Sequence, residues 1–337
     1  MRTEIQKKEH KFIIKELKKL RKHSSISNLK YISKKYSKYI SDNFMMGNSM
    51  MSLIYIVQYI LQIRNSRVDF FKKLVKWFQN PNKLHVESTQ SLIYISFLKF
   101  KNMKLIDIIL KIDKITSDKN SYREYYITYT ELNKLRYLIP NFMMTYGQFK
   151  CLKPSAHENT IQFKKMCQPK GNYINYTLYE RIVGITLETY LISPKYSHLE
   201  FVNIFIQILF ALEIGQQHSG FTHFDLHYDN IILRKSKSID QSVFINGLKY
   251  THSTGEYIPV IIDYGHACVR KEIDGKWGFI GNGDFPEYGM MNFMIPGYDM
   301  YKIMSFCVHT ININKYNNDE YTKTLKMFQK IYNFFYG

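Results

Sequence analysis

The 337 residues hold 47 Lys and Arg against 28 Asp and Glu, a net charge of +19, with 45% apolar residues; this is chain enough for one two-lobed enzyme or two domains with a large core. The four cysteines, Cys151, Cys167, Cys268 and Cys307, lie far apart and form no C-x-x-C pair, which argues against a zinc site or disulfide framework and for a reducing compartment. The chain starts charged, without an apolar h-region, and its most apolar stretch, 50–61, is too short for a bilayer, so the expectation is an intracellular, non-secreted protein with no transmembrane segment.

The positive excess is uneven: residues 1–40 hold thirteen Lys and Arg against three Glu. Such a basic arm attracts nucleic acid, acidic protein or anionic membrane, and a solvated helix with a codon-biased surface is the plain alternative. Within it, Ile5, Phe12, Ile13, Leu17 and Leu20 recur at helical spacing with Lys between them. Residues 50–63 and 67–79 read as two more helices, the second carrying Phe70, Phe71, Leu74, Trp77 and Phe78 and stopped by Asn80-Pro81-Asn82. Residues 1–82 are thus expected to form a basic helical extension.

The pattern then turns to strands. Residues 83–87 and 92–100 read as an antiparallel pair joined by Ser88-Thr89-Gln90-Ser91. Leu105-Ile106-Asp107-Ile108-Ile109-Leu110-Lys111-Ile112 reads as a buried strand with one Lys near its end. Residues 121–138 form a helix with Leu132, Leu135 and Leu138 on its apolar stripe; Glu124 and Glu131, seven apart, share one face. Residues 147–152 and 176–182 complete a small sheet. A short helix at 187–192 and a long one at 198–219 follow, the latter with Phe201, Ile204, Phe205, Ile208, Leu209, Leu212 and Ile214 as its core side.

That helix delivers the chain to His223-Phe224-Asp225-Leu226-His227-Tyr228-Asp229-Asn230, followed by the apolar run Ile231-Ile232-Leu233. A second apolar run ends in Val260-Ile261-Ile262-Asp263-Tyr264-Gly265. Asp225 is placed to accept a proton from an attacking hydroxyl. Asn230 and Asp263 offer oxygen ligands to Mg²⁺, a hard cation that takes one or two carboxylates plus substrate phosphates. Between the two motifs Asn246-Gly247, flanked by apolar residues, signals a hairpin inserted at about 236–258. Asp299 lies in Gly297-Tyr298-Asp299-Met300-Tyr301-Lys302-Ile303, and one more helix is expected at about 316–335.

The two motifs resemble the catalytic loop H-R-D-L-x-x-x-N and the D-F-G of the protein kinase superfamily, in the divergent form seen in kinase-like proteins of large DNA viruses; Phe224 replaces the Arg and Tyr264 the Phe. The resemblance spans roughly 84–312 and implies an α+β, two-lobed kinase-like fold: a helical extension 1–82, an N-lobe 83–183, and a reduced C-lobe 184–337. It implies that Lys111 contacts the α- and β-phosphates of ATP and pairs with Glu124 or Glu131, the run Glu-Tyr-Tyr favouring Glu124. Ser88 and Ser91 then flank a phosphate loop without glycine. Tyr179-Glu180-Arg181-Ile182 becomes the hinge, with Tyr179 narrowing the adenine pocket and the adenine bonded to backbone near Glu180 and Ile182. His223 and Asp299 support the catalytic loop. His227 stands where Ser/Thr protein kinases carry a Lys that steadies the γ-phosphate, and where aminoglycoside- and choline-type phosphotransferases often carry His.

The implied activity is an ATP- and Mg²⁺-dependent phosphotransferase, foremost a Ser/Thr protein kinase with a protein substrate, in host cytoplasm or virion. A pseudokinase scaffold and a small-molecule kinase are the alternatives; the glycine-free loop and missing A-P-E suggest the first, His227 the second. Phe224 in place of Arg agrees with the lack of Ser or Thr between Gly265 and Pro296, and both imply an enzyme not switched on by phosphorylation of that loop. An activating phosphate on Tyr288 would contradict the broader form of that expectation.

Overall fold

The computed structural model describes residues 78–84, 91–100, 103–114, 119–136, 138–154, 159–162, 173–273, 276–281, 291, 293–314 and 319–336. The expectations for residues 1–77, Ser88 and Tyr288 lie outside them. The described chain divides into two compact units, one made of residues up to Thr130 with Met144–Arg181, the other of Glu131–Met143 with Ile182 onward.

The first unit is an antiparallel sheet with a helix. Its strands are β1 (Asn82–Lys83), β2 (Ser91–Phe100), β3 (Met103–Asp113), β4 (Thr145–Leu152) and β5 (Tyr173–Glu180), in the order β1-β2-β3-β5-β4. β3 is not the wholly buried strand its apolar run suggests. Ile108, Leu110 and Ile112 are buried while Ile109 and Lys111 on the other face are half-buried, because successive side chains of a strand point to opposite faces. Tyr94, Phe149, Tyr176 and Leu178 join the buried side, with the Phe149 and Tyr176 rings stacked at 5.2 Å. Phe78 and Gln79, expected at the end of a helix, instead run beside β2: Gln79 N–H donates to Phe97 O at 3.0 Å and Ser96 Oγ to Gln79 O at 2.6 Å. Pairing with an available strand edge outweighs local helical spacing here. Cys151 in β4 is disulfide-bonded, contrary to the expectation from cysteine spacing, since distance along the chain sets no distance in space; Cys268 and Cys307 are free and buried.

The helix after β3, α1 (Lys119–Tyr126), winds into a π-helical stretch at Ile127–Leu132 and a last α turn at Asn133–Leu135. Leu132 and Leu135 are buried as expected, but the helix stops before Leu138, which is 43% exposed. A π stretch advances less per residue, so side chains seven apart no longer return to one face.

The second unit is built on α3 (His198–Ser219), which follows β6 (Gly184–Thr186) and α2 (Leu187–Leu191). Ser197 caps α3 by accepting from Glu200 N–H, and Gly220 at φ 55° ends it in the left-handed conformation that glycine adopts at little cost. Among the described residues α3 is long and apolar enough to cross a membrane, which the sequence reading did not single out; half of it is buried in this unit, as befits a core helix. Its Gln207, fully buried, donates to Thr254 O and Tyr257 O, both at 3.0 Å.

β7 (Ile231–Lys235) lies between β6 and β10 (Tyr257–Ile261) in a small antiparallel sheet. The inserted hairpin is β8 (Asp240–Ile245) and β9 (Leu248–Ser253); Asn246 and Gly247 at φ 51° and 80° have the positive values a type I′ turn needs. A further hairpin, β11 (Cys268–Ile273) and β12 (Lys276–Gly281), follows Tyr264 after Gly265-His266-Ala267. α4 (Tyr298–Asn314) and α5 (Asp319–Tyr336) complete the unit, with Phe328 of α5 packed edge-on against Phe201 and Phe205 of α3.

Candidate active site

Two groups of polar residues stand out, one in each unit. In the first, Lys111 sits on β3 opposite Ile93 of β2 and Thr177 of β5, so its backbone is held from both sides. Its Nζ lies 3.0 Å from each carboxylate oxygen of Glu124 on α1. The phenol of Tyr179, on β5, donates to Glu124 Oε1 at 2.9 Å. A buried carboxylate is costly unless paired and hydrogen-bonded, and Glu124 receives both a cation and a neutral donor. The other candidate, Glu131, goes elsewhere: in the second unit it binds Lys271 Nζ at 2.9 Å and Lys134 Nζ at 3.2 Å. The intervening π turns account for the divergence of two glutamates expected on one face.

Glu180 is 5% exposed, so the alternative of a surface charge fails; its carboxylate accepts Met144 N–H at 3.2 Å, and its own N–H donates to Met144 O at 2.9 Å. Ile182 is buried at the start of the second unit's main segment. Ser91 is the first residue of β2 and is buried. The role of Tyr179 in holding Glu124 was not foreseen, although a phenol beside a buried strand is a group that seeks a partner.

In the second unit the chain leaves Gly220 and exchanges two backbone bonds between Thr222 and Cys268, at 2.8 and 3.1 Å. His223 is fully buried. Asp225 N–H donates to its Nδ1 at 3.2 Å, so Nε2 carries the proton and donates to Ile262 O at 2.9 Å. Burial pushes this imidazole down to about 4, in keeping with a neutral ring fixed between two backbone groups. Phe224 has φ 63°, a conformation that costs a bulky residue energy unless its surroundings impose it.

The surroundings do so from α4. Asp299, fully buried, accepts His223 N–H on Oδ2 at 2.7 Å and Phe224 N–H on Oδ1 at 2.9 Å. Burial pushes the Asp299 carboxyl up to about 6, against the two N–H donors and Lys302, which pull the other way. Lys302, one turn along α4, donates from Nζ to Phe224 O at 2.7 Å and Asp225 Oδ1 at 2.9 Å. The peptide groups around Phe224 are thereby gripped on both sides, and the Asp225 carboxylate is left 30% exposed.

Asn230 closes the loop: Nδ2 donates to Asp225 O at 2.8 Å and lies 3.0 Å from His227 Nε2. With the amide nitrogen committed, Oδ1 is the atom left for a cation. His227 also caps the short turn Tyr228–Asn230, its Nδ1 accepting Asp229 N–H at 3.3 Å. Ile262 N–H donates to Asn230 O at 3.0 Å, which brings Asp263 next to Asn230. Asp263 is exposed at φ 59°, a region Asp tolerates better than most residues. Tyr264 turns inward, its ring 5.5 Å from that of His223 and 6.2 Å from that of Phe221. Its hydroxyl accepts Met143 N–H at 3.0 Å and donates to Ile261 O, bonds a phenylalanine could not make.

Among the described residues no cluster of three or more His, Cys, Asp or Glu is placed to hold a metal. Magnesium does not require one: a carboxylate, an amide oxygen, waters and substrate phosphates suffice, and Asp263 with Asn230 Oδ1 fits that donor set.

The chain is of α+β architecture, and it is similar in sequence to a viral protein named a probable kinase. The chain is 34% identical over 181 residues to "Probable kinase 098L" of Invertebrate iridescent virus 3, covering 53% of this chain and 30% of that protein. It is 28% identical over 250 residues to "Uncharacterized protein 179R" of Invertebrate iridescent virus 6, covering 66% of this chain and 20% of that protein. It therefore spans less than a third of the length of these two relatives. A crystal structure of a kinase domain matches 57% of this chain and 51% of its own, with a TM-score of 0.34 and 19% identity. No family model matches the chain.

Proposed function

We propose that the protein is an ATP- and Mg²⁺-dependent phosphotransferase, and that its acceptor is a Ser or Thr hydroxyl of a protein. The observation that carries this reading is the loop at Asp225: a partly exposed carboxylate, pinned through backbone and side chain, beside an asparagine whose amide nitrogen is already used and an exposed Asp263. The acceptor hydroxyl would give its proton to Asp225 as its oxygen bonds the γ-phosphorus and the bond to the β-phosphate bridging oxygen breaks, releasing ADP. Asn230 and Asp263 would hold Mg²⁺, which when bound neutralises phosphate charge. Lys111, kept in place by Glu124, would bind the α- and β-phosphates. The similarity to a protein named a probable kinase favours this class of chemistry. The test is transfer of label from γ-labelled ATP to a basic protein, to casein and to the protein itself. Transfer that needs Mg²⁺ and falls steeply in Asp225→Asn supports the reading; transfer undiminished in that variant refutes it.

A further inference from the structure

We propose that Lys302 is a positioning residue for the phosphotransfer step, acting through Asp225; this deepens the reading above and rests on it. An aspartate used as a base must present one oxygen to the acceptor hydroxyl and keep the other from swinging into its place. Lys302 Nζ holds Oδ1 at 2.9 Å, whereas Oδ2 has His227 Nε2 only at 3.9 Å, beyond hydrogen-bond reach. Oδ2 is thus the oxygen that takes the proton. The same Nζ takes Phe224 O at 2.7 Å, so the lysine fixes the carboxylate to the backbone that carries it.

The helix supplies this grip in a fixed relation to Asp299, three residues earlier on α4, where residues three apart lie on one face. One helical face therefore binds two N–H groups, one carbonyl and one carboxylate oxygen of residues 223–225. Lys302 is 20% exposed and Asp225 30%, so both side chains reach solvent. No residue within the loop brings an ammonium to Asp225: position 227, two residues on, is His, and its ring nitrogens are turned to Asp229 and Asn230.

The experiment is a steady-state comparison of wild type, Lys302→Met, Asp225→Asn and the double variant, with melting temperatures. Lys302→Met should lower kcat on the order of 10²-fold, the usual cost of removing one preorganised donor, while KM for ATP stays near wild type. In the Asp225→Asn background the same change should cost little more, because the residue acts through the carboxylate that is already gone. Lys302→Cys treated with 2-bromoethylamine regains an ammonium at the same reach and should regain activity, which compares two states of one folded protein. The inference is overturned if Lys302→Met keeps wild-type kcat, if it lowers Asp225→Asn by the same factor as wild type, or if alkylation of the cysteine restores nothing. A wild type that transfers no phosphate instead overturns the underlying reading, and the inference with it.

Discussion

The groups at Lys111 and at Asp225 are built by different means. Lys111 and Glu124 sit on a regular strand and a regular helix, joined by a direct ion pair that Tyr179 steadies. Asp225 sits on irregular backbone, with Phe224 and Asp263 both at positive φ, and depends on the buried imidazole of its own loop and on a buried carboxylate and a lysine drawn from α4. The first arrangement needs only side chains of the right length. The second stores strain in the backbone and restrains it from α4, so distant substitutions should disturb it more.

Asp225→Asn should give the largest effect, a fall in kcat of about 10³-fold, within the range for loss of a general base, with an unchanged melting temperature. A large drop in melting temperature would mean that the residue serves the fold. Asp299→Ala should come next, lowering stability by about 3 kcal/mol in denaturant unfolding, since it strands two buried N–H groups. A loss under ~1 kcal/mol would break the contrast between the two regions. Tyr179→Phe removes one hydrogen bond to a charged group and should raise KM for ATP about tenfold, in line with ~1.5 kcal/mol; kcat should hardly move. A fall in kcat with KM constant would contradict the regular-element account of the Lys111 group.

The smallest effect is on pH. His223, lowered to about 4 in the fold from 6.5, contributes stability that is complete above pH 6.5 and lost as the pH falls through 4. Asp299, raised to about 6 from 3.8, has the opposite sign: its contribution is complete below pH 3.8 and lost as the pH rises through 6. Between 4 and 6 the two offset each other. Asp299→Asn leaves His223 unopposed, so its melting temperature should drop more steeply than that of wild type between pH 6.5 and 4. Parallel curves would refute the assignment.

The contiguous parts of the site were readable in the sequence because their chemistry is spaced along one stretch: His223, Asp225 and Asn230 within eight residues, Asp263 at the end of an apolar run. Asp299 could be placed by order along the chain. Lys302 was not picked out, since one lysine among 47 Lys and Arg carries no signal until a partner is known; its spacing of three from Asp299 was the available hint. The choice between Glu124 and Glu131 stayed open because nothing in the side-chain pattern announces a π turn. The bond from Tyr179 to Glu124 and the pairing of Phe78 and Gln79 with β2 are both long-range, and residue spacing reports only local geometry. For the same reason the cysteine count misjudged Cys151.

The most direct test of the central claim is label transfer from γ-labelled ATP in the presence of Mg²⁺, with wild type beside Asp225→Asn and Asp263→Ala. The account predicts rapid labelling of the acceptor with wild type and labelling slower by about 10³-fold with Asp225→Asn, with Asp263→Ala similarly slowed. Equal labelling in all three lanes would contradict it.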